Sequence, residues 1–264
     1  MKAYDFEYDG LKLSSFGYMI CNFGSNGLQT VSVGSQITFN TVSIMNGSQY
    51  HLASIEYKDC LKTTFQICKN GCGSGNFEMT AGEERLLSRW LNRNEFKKFK
   101  ILNADYIDVY FEGSFNISRL EFNGMVCGFE LELITNRPYA LQETRTKTIF
   151  NVKPNTEHVI KDYSEIEGFI YPKTEIEINE AGTLEIYNAS EDRTTAIRDC
   201  LAGEKIIMNY PVITTSAPGH KIQNDFNWKF FRLFNSFRNS GNKITISLPC
   251  TMKLSYSPPV RLSL

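Results

Sequence analysis

Apolar and polar residues alternate with a period of two along most of this 264-residue chain. Successive side chains of a β-strand point to opposite faces of a sheet, so this period predicts strands with one face on a core. The alternation is clearest at 61–67, 107–111, 127–133, 175–178, 184–186, 243–248 and 251–256. Turn-forming pairs such as Asn123-Gly124 separate these segments. The sequence therefore predicts an all-β, mainly antiparallel fold.

One segment departs from this period and predicts an α-helix. Thr80 and Glu83 have the spacing of a capping box, in which each side chain accepts a hydrogen bond from the other residue's amide. Leu86, Leu87, Trp90 and Leu91 then follow at helical spacing, which predicts a helix from about Ala81 to Asn94. The aromatic-rich residues from Asn227 to Phe237 fit either a second helix or a strand, and we favour a strand.

The boundary between two domains is expected near Pro138. Proline has no amide proton for a strand ladder and keeps its predecessor out of helical geometry. We expect an N-terminal β-sandwich with the helix at 1–138 and a second β-sandwich at 139–264. An apolar content of 42% is sufficient for both cores.

A polar hairpin is predicted around Asn46-Gly47, a pair that suits a type I′ turn. Its arms, 37–44 and 49–55, alternate but are rich in Thr, Ser, Asn and Gln. The hairpin is either an ordinary sheet edge facing water or a projecting arm that hydrogen-bonds a neighbouring subunit. The arm would present Phe39, Val42, Ile44, Asn46, Gly47, Tyr50 and Leu52.

Metal, cofactor and catalytic sites find little support in the sequence. Seven scattered cysteines do not suggest a disulfide framework, and Cys68 and Cys72 lack the second ligand pair of a zinc site. The glycine-rich stretch 70–75 matches neither a P-loop nor a dinucleotide fingerprint. Glu175 and Glu177 alternate with isoleucines and are expected on a solvated face, and the three histidines are expected at the surface. We expect no enzyme activity, no cofactor and no metal.

Charge and hydropathy exclude two further classes of protein. The net charge is −1, which argues against a strongly basic nucleic-acid binder. No uninterrupted apolar run approaches the roughly 18 residues that a transmembrane helix requires. Asp5 and Glu7 stand where a signal peptide needs an apolar run, so we expect no signal peptide, no membrane association and folding in a cytosol.

The order of these features resembles a known family. The similar segments are 4–11, 14–17, 87–92, 99–101, 106–113, 128–133, 137–140 and 241–246. Together they resemble the distal tail proteins, the baseplate hub components of siphophages and prophages of Gram-positive hosts. The resemblance follows the order of elements along nearly the whole chain, and its motifs are not catalytic.

This resemblance implies a structural virion protein at the tail tip, assembled in the cytoplasm of the bacterial host. The N-terminal domains would form a homohexameric ring, with galectin-like C-terminal β-sandwiches outside it. The ring would join the tail tube and the tape-measure protein to tail-tip and receptor-binding proteins, and DNA would pass through its lumen without specific binding. The resemblance favours the hairpin as an intersubunit arm.

A carbohydrate-binding module is the alternative function. Aromatic residues make up 13% of the chain, and exposed aromatic rings on a sandwich can stack on sugars. The C-terminal half would then hold host cell-wall polysaccharide through Trp228 or tyrosines.

Overall fold

The computed structural model describes residues 3–23, 35–43, 49–71, 78–236 and 241–262. The chain forms two compact units. The first unit contains the residues up to Gln142 and the stretch from Val260 onward, and the second contains Glu143–Pro259. The chain therefore enters the second unit once and returns to the first at its end.

The first unit is built mainly of strands. They are β1 Phe6–Tyr8, β2 Leu11–Lys12, β3 Tyr18–Cys21, β4 Ile37–Ser43, β5 Tyr50–Tyr57, β6 Lys62–Lys69, β7 Lys97–Ile101, β8 Val109–Phe122, β9 Met125–Thr135 and β10 Ala140–Gln142. The helix α1 spans Ala81–Leu91, and short 3-10 helices span Leu13–Phe16 and Ala104–Tyr106.

Most of these strands form one sheet in the order β2-β1-β7-β8-β9-β6-β3, and β10 adds to β8. Neighbouring strands along this path are antiparallel. The turn predicted at Asn123-Gly124 is confirmed, because both residues have positive φ (49° and 80°) and the flanking residues Phe122 and Met125 pair. This is the backbone geometry of a type I′ turn.

The sheet curls around an aromatic core. In a flat sheet, four strand spacings would separate β1 from β6 by about 19 Å. Yet the ring centroids of Phe6 on β1 and Phe65 on β6 lie 5.6 Å apart. Phe99 and Phe115, from the strands between them, also pack on Phe6 at 5.4 and 5.9 Å. The inward side of the period-two pattern thus forms one closed core.

The helix α1 begins and ends for local reasons. Both hydrogen bonds of the capping box between Thr80 and Glu83 are present. The helix ends at Leu91, three residues before the predicted Asn94, because Asn92 is extended (φ −84°, ψ 94°). Its inward side packs on the sheet through Trp90, whose ring stacks on Phe6 at 5.7 Å. Among the described residues, no helix is both long and apolar enough to cross a membrane.

The second unit is a two-sheet sandwich. Its elements are β11 Arg145–Asn151, β12 Glu157–Lys161, β13 Gly168–Ile170, β14 Lys173–Ile178, β15 Gly182–Asn188, β16 Arg193–Cys200, β17 Lys205–Asn209, β18 Val212–Thr215, the short helix α2 Ile222–Asp225, β19 Leu233–Asn235, β20 Gly241–Ile246 and β21 Cys250–Tyr256. The last strand, β22, spans Pro259–Val260 at the boundary of the two units.

Two sheets enclose the core of this unit, in the orders β11-β21-β14-β17-β18 and β12-β20-β15-β16. Ile176 and Met252 from the first sheet and Ile186 and Ile246 from the second belong to one buried cluster. These residues occupy alternate positions of their strands, as the period of two requires. The predicted all-β, mainly antiparallel class is confirmed.

Two local expectations need correction. Ile107, expected on the inward face of a strand, lies before β8 and is 75% exposed. The segment from Asn227 to Phe237 is neither a helix nor a continuous strand, since only Leu233–Asn235 is a strand and Phe237 lies outside the described residues. A positive φ at Trp228 (58°) turns the backbone there and prevents a continuous strand.

Candidate interaction surface on the β4–β5 hairpin

The hairpin of β4 and β5 forms a two-stranded sheet of its own. None of its described residues belongs to the buried core of the first unit. Its base is held by backbone and side-chain hydrogen bonds, from the Lys58 amide to the Gln36 carbonyl (2.9 Å) and from the Ser35 hydroxyl to the Asp59 carbonyl (2.7 Å). The two arms are therefore held together at the base, and the hairpin is not packed on that core.

A β-bulge sets which side chains share a face. The pairing runs from Ile37 with Tyr57 to Asn40 with Ser54, and then continues as Thr41 with Leu52, which leaves Ala53 as an extra residue. A bulge of this kind changes the phase of the side chains beyond it. Ile55 and Tyr57 therefore lie on the same face as Leu52 and Tyr50, although regular alternation would separate them.

The result is one apolar face, formed by Ile37, Phe39, Tyr50, Leu52, Ile55 and Tyr57 together with Thr41 and Ser43. Tyr50 is 74% exposed, and Phe39, Leu52 and Ile55 each expose more than half of their surface. Tyr57, nearest the base, packs edge-on against Tyr139 with ring centroids 6.3 Å apart. A group of large, exposed apolar side chains marks an interaction site more often than isolated ones do.

The opposite face is mostly polar. It carries Thr38, Asn40, His51, Ser54 and Glu56, with Val42 as its apolar member. Asn40 donates a side-chain hydrogen bond to the Ser54 hydroxyl across the two strands (2.9 Å). The hairpin therefore has two chemically different faces, and a partner that covers the apolar one would leave the polar one in water.

The sequence prediction found part of this surface. Phe39, Tyr50 and Leu52 lie on the apolar face, and Val42 lies on the other. Ile44, Asn46 and Gly47 lie outside the described residues. Ile55 and Tyr57 were not among the predicted residues, because their phase depends on the bulge. The sequence carries one sign of the bulge. The large apolar residues stand at even positions at Tyr50 and Leu52 and at odd positions at Ile55 and Tyr57.

The edges of the hairpin add a second mode of contact. Within the part of the chain that the structure describes, β4 and β5 pair with each other and with no further strand. Each strand therefore presents one edge with backbone N–H and C=O groups available to a strand of another chain. Such edge pairing fixes register, and the apolar face adds buried area.

Candidate catalytic and metal-binding residues stay apart. The described residues contain no group of three His, Cys, Asp or Glu side chains that could hold a metal ion. Cys72 lies outside them. Burial, together with a hydrogen bond to Cys68, raises the pKa of the Cys21 thiol. Glu175 lies beside Lys173 (2.6 Å), and a hydrogen bond from that lysine lowers the pKa of its carboxyl group.

The expectation of three surface histidines is wrong for His220, which is buried. Its Nδ1 lies 2.6 Å from Oε1 of the equally buried Glu204. Burial alone would raise the pKa of Glu204, but hydrogen bonds from Thr215, the Leu201 amide and His220 outweigh it and lower that pKa. The pair lies inside the second unit, so it supports the sandwich rather than forming an open site.

Comparisons with known proteins agree with a tail component. The family model described as "Phage tail protein N-terminal domain" matches residues 1–137, and "Phage tail C-terminal domain" matches residues 139–256. Among solved structures, the chain is similar to the Dit protein (gp 19.1) of phage SPP1, described as a paradigm of the hub adsorption apparatus in phages that infect Gram-positive bacteria. The two are 13% identical with a TM-score of 0.63, over 97% of this chain and 99% of that one, so they share a fold. No curated protein sequence matches the chain significantly.

Proposed function

The chain belongs to the phage tail protein family that these two domain models define, and from this premise we propose that it is the hub of the tail tip. In this role it joins the tail tube, and the tape-measure protein within it, to the proteins that recognise the host. Six copies form a closed ring, and DNA passes through its lumen. The role is structural, and we expect no catalytic activity.

The observation that supports a ring most directly is the uncovered apolar face of the β4–β5 hairpin. A closed ring uses a heterologous contact, in which one surface of each subunit meets a different surface of the next. A hairpin that is closed at its base, lies outside the core and is apolar on one side has the form of such an arm. The fold shared with the Dit protein, itself described as part of a hub apparatus, is consistent with this role.

The apolar face of the arm can supply part of the free energy of assembly. Full burial of a Leu, Ile or Phe side chain stabilises a contact by roughly 1.5–3 kcal/mol. Phe39, Leu52 and Ile55 are each more than half exposed, so most of that free energy is still available to a partner. Association and side-chain ordering consume part of it. The polar face stays in water, which disfavours contact of a neighbouring subunit with that face.

The test is the oligomeric state of the full-length protein, measured by mass photometry and negative-stain microscopy, alone and with the tail-tube and tail-tip partners. We expect a ring of six copies. The double variant Leu52→Glu, Ile55→Glu places two charges on the apolar face and should give monomers. Because both side chains are exposed in the single subunit, the variant and the unmodified protein should share one thermal unfolding midpoint when both are diluted to monomers.

The matched control is Ser54→Glu, which places a charge on the opposite face of the same strand. This variant should assemble like the unmodified protein. If the double variant assembled normally, the hairpin face would not be the intersubunit contact. If the unmodified protein stayed monomeric and bound no tail partner, the hub proposal itself would be wrong.

A further inference from the structure

A series of aromatic side chains in contact with one another lies in the second unit, and we call it the aromatic track. Its members are Phe169, Tyr171, Tyr210, Phe230 and Trp228, together with Arg232. Arg232 lies over the Phe169 ring at 3.5 Å and donates to the Tyr171 hydroxyl at 3.4 Å. Tyr171 stacks on Tyr210 with centroids 4.3 Å apart and planes 17° apart. Phe230 then contacts Tyr210 at 5.3 Å and Trp228 at 6.5 Å.

Exposed rings alternate with supporting residues along the track. Phe169, Tyr210 and Trp228 are 50%, 56% and 58% exposed. Phe230 is buried and touches both Tyr210 and Trp228, so it supports the two exposed rings from below. From these two contacts, the centroids of Tyr210 and Trp228 can be no more than about 12 Å apart. Tyr210 and Trp228 are therefore close enough for one extended ligand to reach both rings, and Phe230 supports both of them.

The backbone of Trp228 is strained to hold its ring outward. Its φ is 58°, a left-handed conformation that is unusual for a bulky residue. Asn227 fixes this turn, since its Oδ1 accepts a hydrogen bond from the Lys229 amide (3.1 Å) and its Nδ2 donates to the Thr194 carbonyl (3.0 Å). Strain of this kind persists where the surrounding structure enforces it and is frequent at functional sites.

The charge within the track is balanced. Arg232 donates from Nε to the Glu191 carboxylate at 2.8 Å, and that carboxylate is largely buried. The Tyr210 hydroxyl supplies a hydrogen-bonding group beside the rings, whereas the Tyr171 hydroxyl and the Asn227 amide already have partners within the unit. The track therefore combines flat apolar surfaces with a neutral hydroxyl and a paired arginine, and the exposed Lys229 follows Trp228 in the chain.

This combination selects a chemical class of ligand. The C–H groups on one side of a sugar ring form an apolar face that packs on an aromatic ring, while the hydroxyls at its edge form hydrogen bonds. A protein partner of standard size needs about 1,200–2,000 Å² of total buried surface. An aromatic side chain buries only about 150–250 Å² in full, and the three exposed rings are already partly covered. Two separate exposed rings within about 12 Å suit neighbouring residues of a polymer better than one compact anchor.

We propose that the aromatic track binds an uncharged polymeric glycan, with Trp228 and Tyr210 as the stacking platforms. This activity goes beyond the hub function and does not depend on ring formation. A tail protein with such a track would contact the polysaccharide of a cell surface in addition to holding other tail proteins.

The test uses the full-length protein on a glycan array that carries uncharged oligosaccharides, uronic-acid polymers and phosphate-bearing polymers. We expect retention on uncharged oligosaccharides. The retained oligosaccharide is then titrated while tryptophan emission is followed. Trp90 is buried at 5% exposure, so the change in emission should come from Trp228 and should be absent in Trp228→Phe.

Two variants and one control separate stacking from folding. Trp228→Gly removes the ring and relieves the backbone strain, because glycine adopts a positive φ readily. Tyr210→Ala removes the second platform. Each should weaken binding at least about tenfold, which corresponds to about 1.4 kcal/mol. The control Phe150→Ala removes a ring on β11 that is 69% exposed and lies outside the track, and should leave affinity unchanged.

Three results would overturn the proposal. They are an array without any uncharged ligand, retention on charged polymers alone, and equal affinity in Trp228→Gly, Tyr210→Ala and Phe150→Ala. Ring assembly is measured on the same variants. Because the track lies in the second unit and the hairpin in the first, loss of glycan binding with an intact ring and loss of the ring with intact glycan binding are separate outcomes.

Discussion

The indole Nε1 of Trp90 donates a buried hydrogen bond to the backbone carbonyl of Tyr8, at 3.1 Å. The Tyr8 hydroxyl in turn donates to the Gly113 carbonyl, also at 3.1 Å. These two bonds connect α1, the three-residue strand β1 and β8 in a single line. The helix predicted from the sequence is thus bound to the sheet by a polar contact as well as by ring packing.

We expect Trp90→Phe to destabilise the first unit. The Phe6 and Phe16 rings would keep an aromatic neighbour, but the Tyr8 carbonyl would lose its indole donor. Leaving a buried polar group without its partner costs about 1–3 kcal/mol. Denaturant unfolding measures this difference. Leu86→Ala is the control, because Leu86 lies on the same helix and is half exposed; an equal loss in both variants would contradict the role of the hydrogen bond.

Two glycines should respond to alanine with opposite signs. A Cβ on Gly113 would lie 2.7 Å from Leu133 Cδ1 and 2.8 Å from the Ile134 carbonyl oxygen, so Gly113→Ala should cost about 1–3 kcal/mol through overpacking. A Cβ on Gly82, in the first turn of α1, would have only the Thr80 hydroxyl nearby at 3.9 Å. Gly82→Ala should therefore stabilise by about 0.5–1 kcal/mol.

Thermal and denaturant unfolding of the two variants side by side checks this prediction. Stabilisation by Gly113→Ala would mean that β8 and β9 can move apart at this point of the ladder. A loss in Gly82→Ala would mean that the first turn of α1 is not helical in solution.

Glu204 makes the stability of the second unit depend on acid pH. Its pKa is lowered below the ordinary 4.5 in the folded protein, so its contribution is present above pH 4.5 and is lost as the pH falls through the lower folded value. Glu204→Gln should lose about 1.5–3 kcal/mol near neutral pH, because bonds to a charged group are the stronger ones.

Urea unfolding between pH 3 and pH 7 tests this expectation. The difference in unfolding free energy between the unmodified protein and Glu204→Gln should shrink toward the acid end. Glu185→Gln, at an exposed position of β15, serves as the control and should show little difference at any pH. A difference for Glu204→Gln that stays constant across the range would rule out an ionised Glu204 as its source.

Deletion of Ala53 should be tolerated by the hairpin. Ala53 is the extra residue of the bulge, and without it Leu52, Ser54 and Ile55 would alternate regularly in the same pairs. The apolar face would be retained, so assembly should continue.

Insertion of one alanine between Ser54 and Ile55 should instead turn Ile55 and Tyr57 to the polar face. Assembly should then weaken at least about tenfold, since a one-residue slip reverses every side chain beyond it. Mass photometry of both variants measures their assembly. If the insertion variant formed rings and the deletion variant did not, the β4–β5 register described above would be wrong.

Local physics explains what the sequence predicted well. The capping box at Thr80 and the leucine spacing behind it act within one helical segment, and α1 begins where they indicate. The turn at Asn123-Gly124 depends on two residues that accept positive φ, so the β8–β9 hairpin could be predicted from its tip. The period of two likewise operates within each strand.

The features that the sequence did not predict depend on distant contacts. The phase of Ile55 follows from a bulge that forms only when β5 pairs with β4. His220 is buried because Glu204, sixteen positions earlier, supplies its partner. The course of 227–232 is set by hydrogen bonds from Asn227 to Thr194 and Ala196, on a strand more than thirty residues away. These contacts join residues that are far apart in the sequence, so a pattern of neighbouring residues does not reveal them.

The return of the chain to the first unit has a practical consequence for anyone who cuts this protein into pieces. Val260 is buried there, and Leu262 packs against the core of the first unit. A fragment that stops at residue 138 therefore omits part of its own interior. Topologically, the second unit is an insertion with two attachment points, so it could be excised by joining Gln142 to Val260 through a short linker, or replaced by a foreign domain whose ends lie close together. We therefore expect the first unit to fold without the second and to tolerate a different domain inserted at the same place.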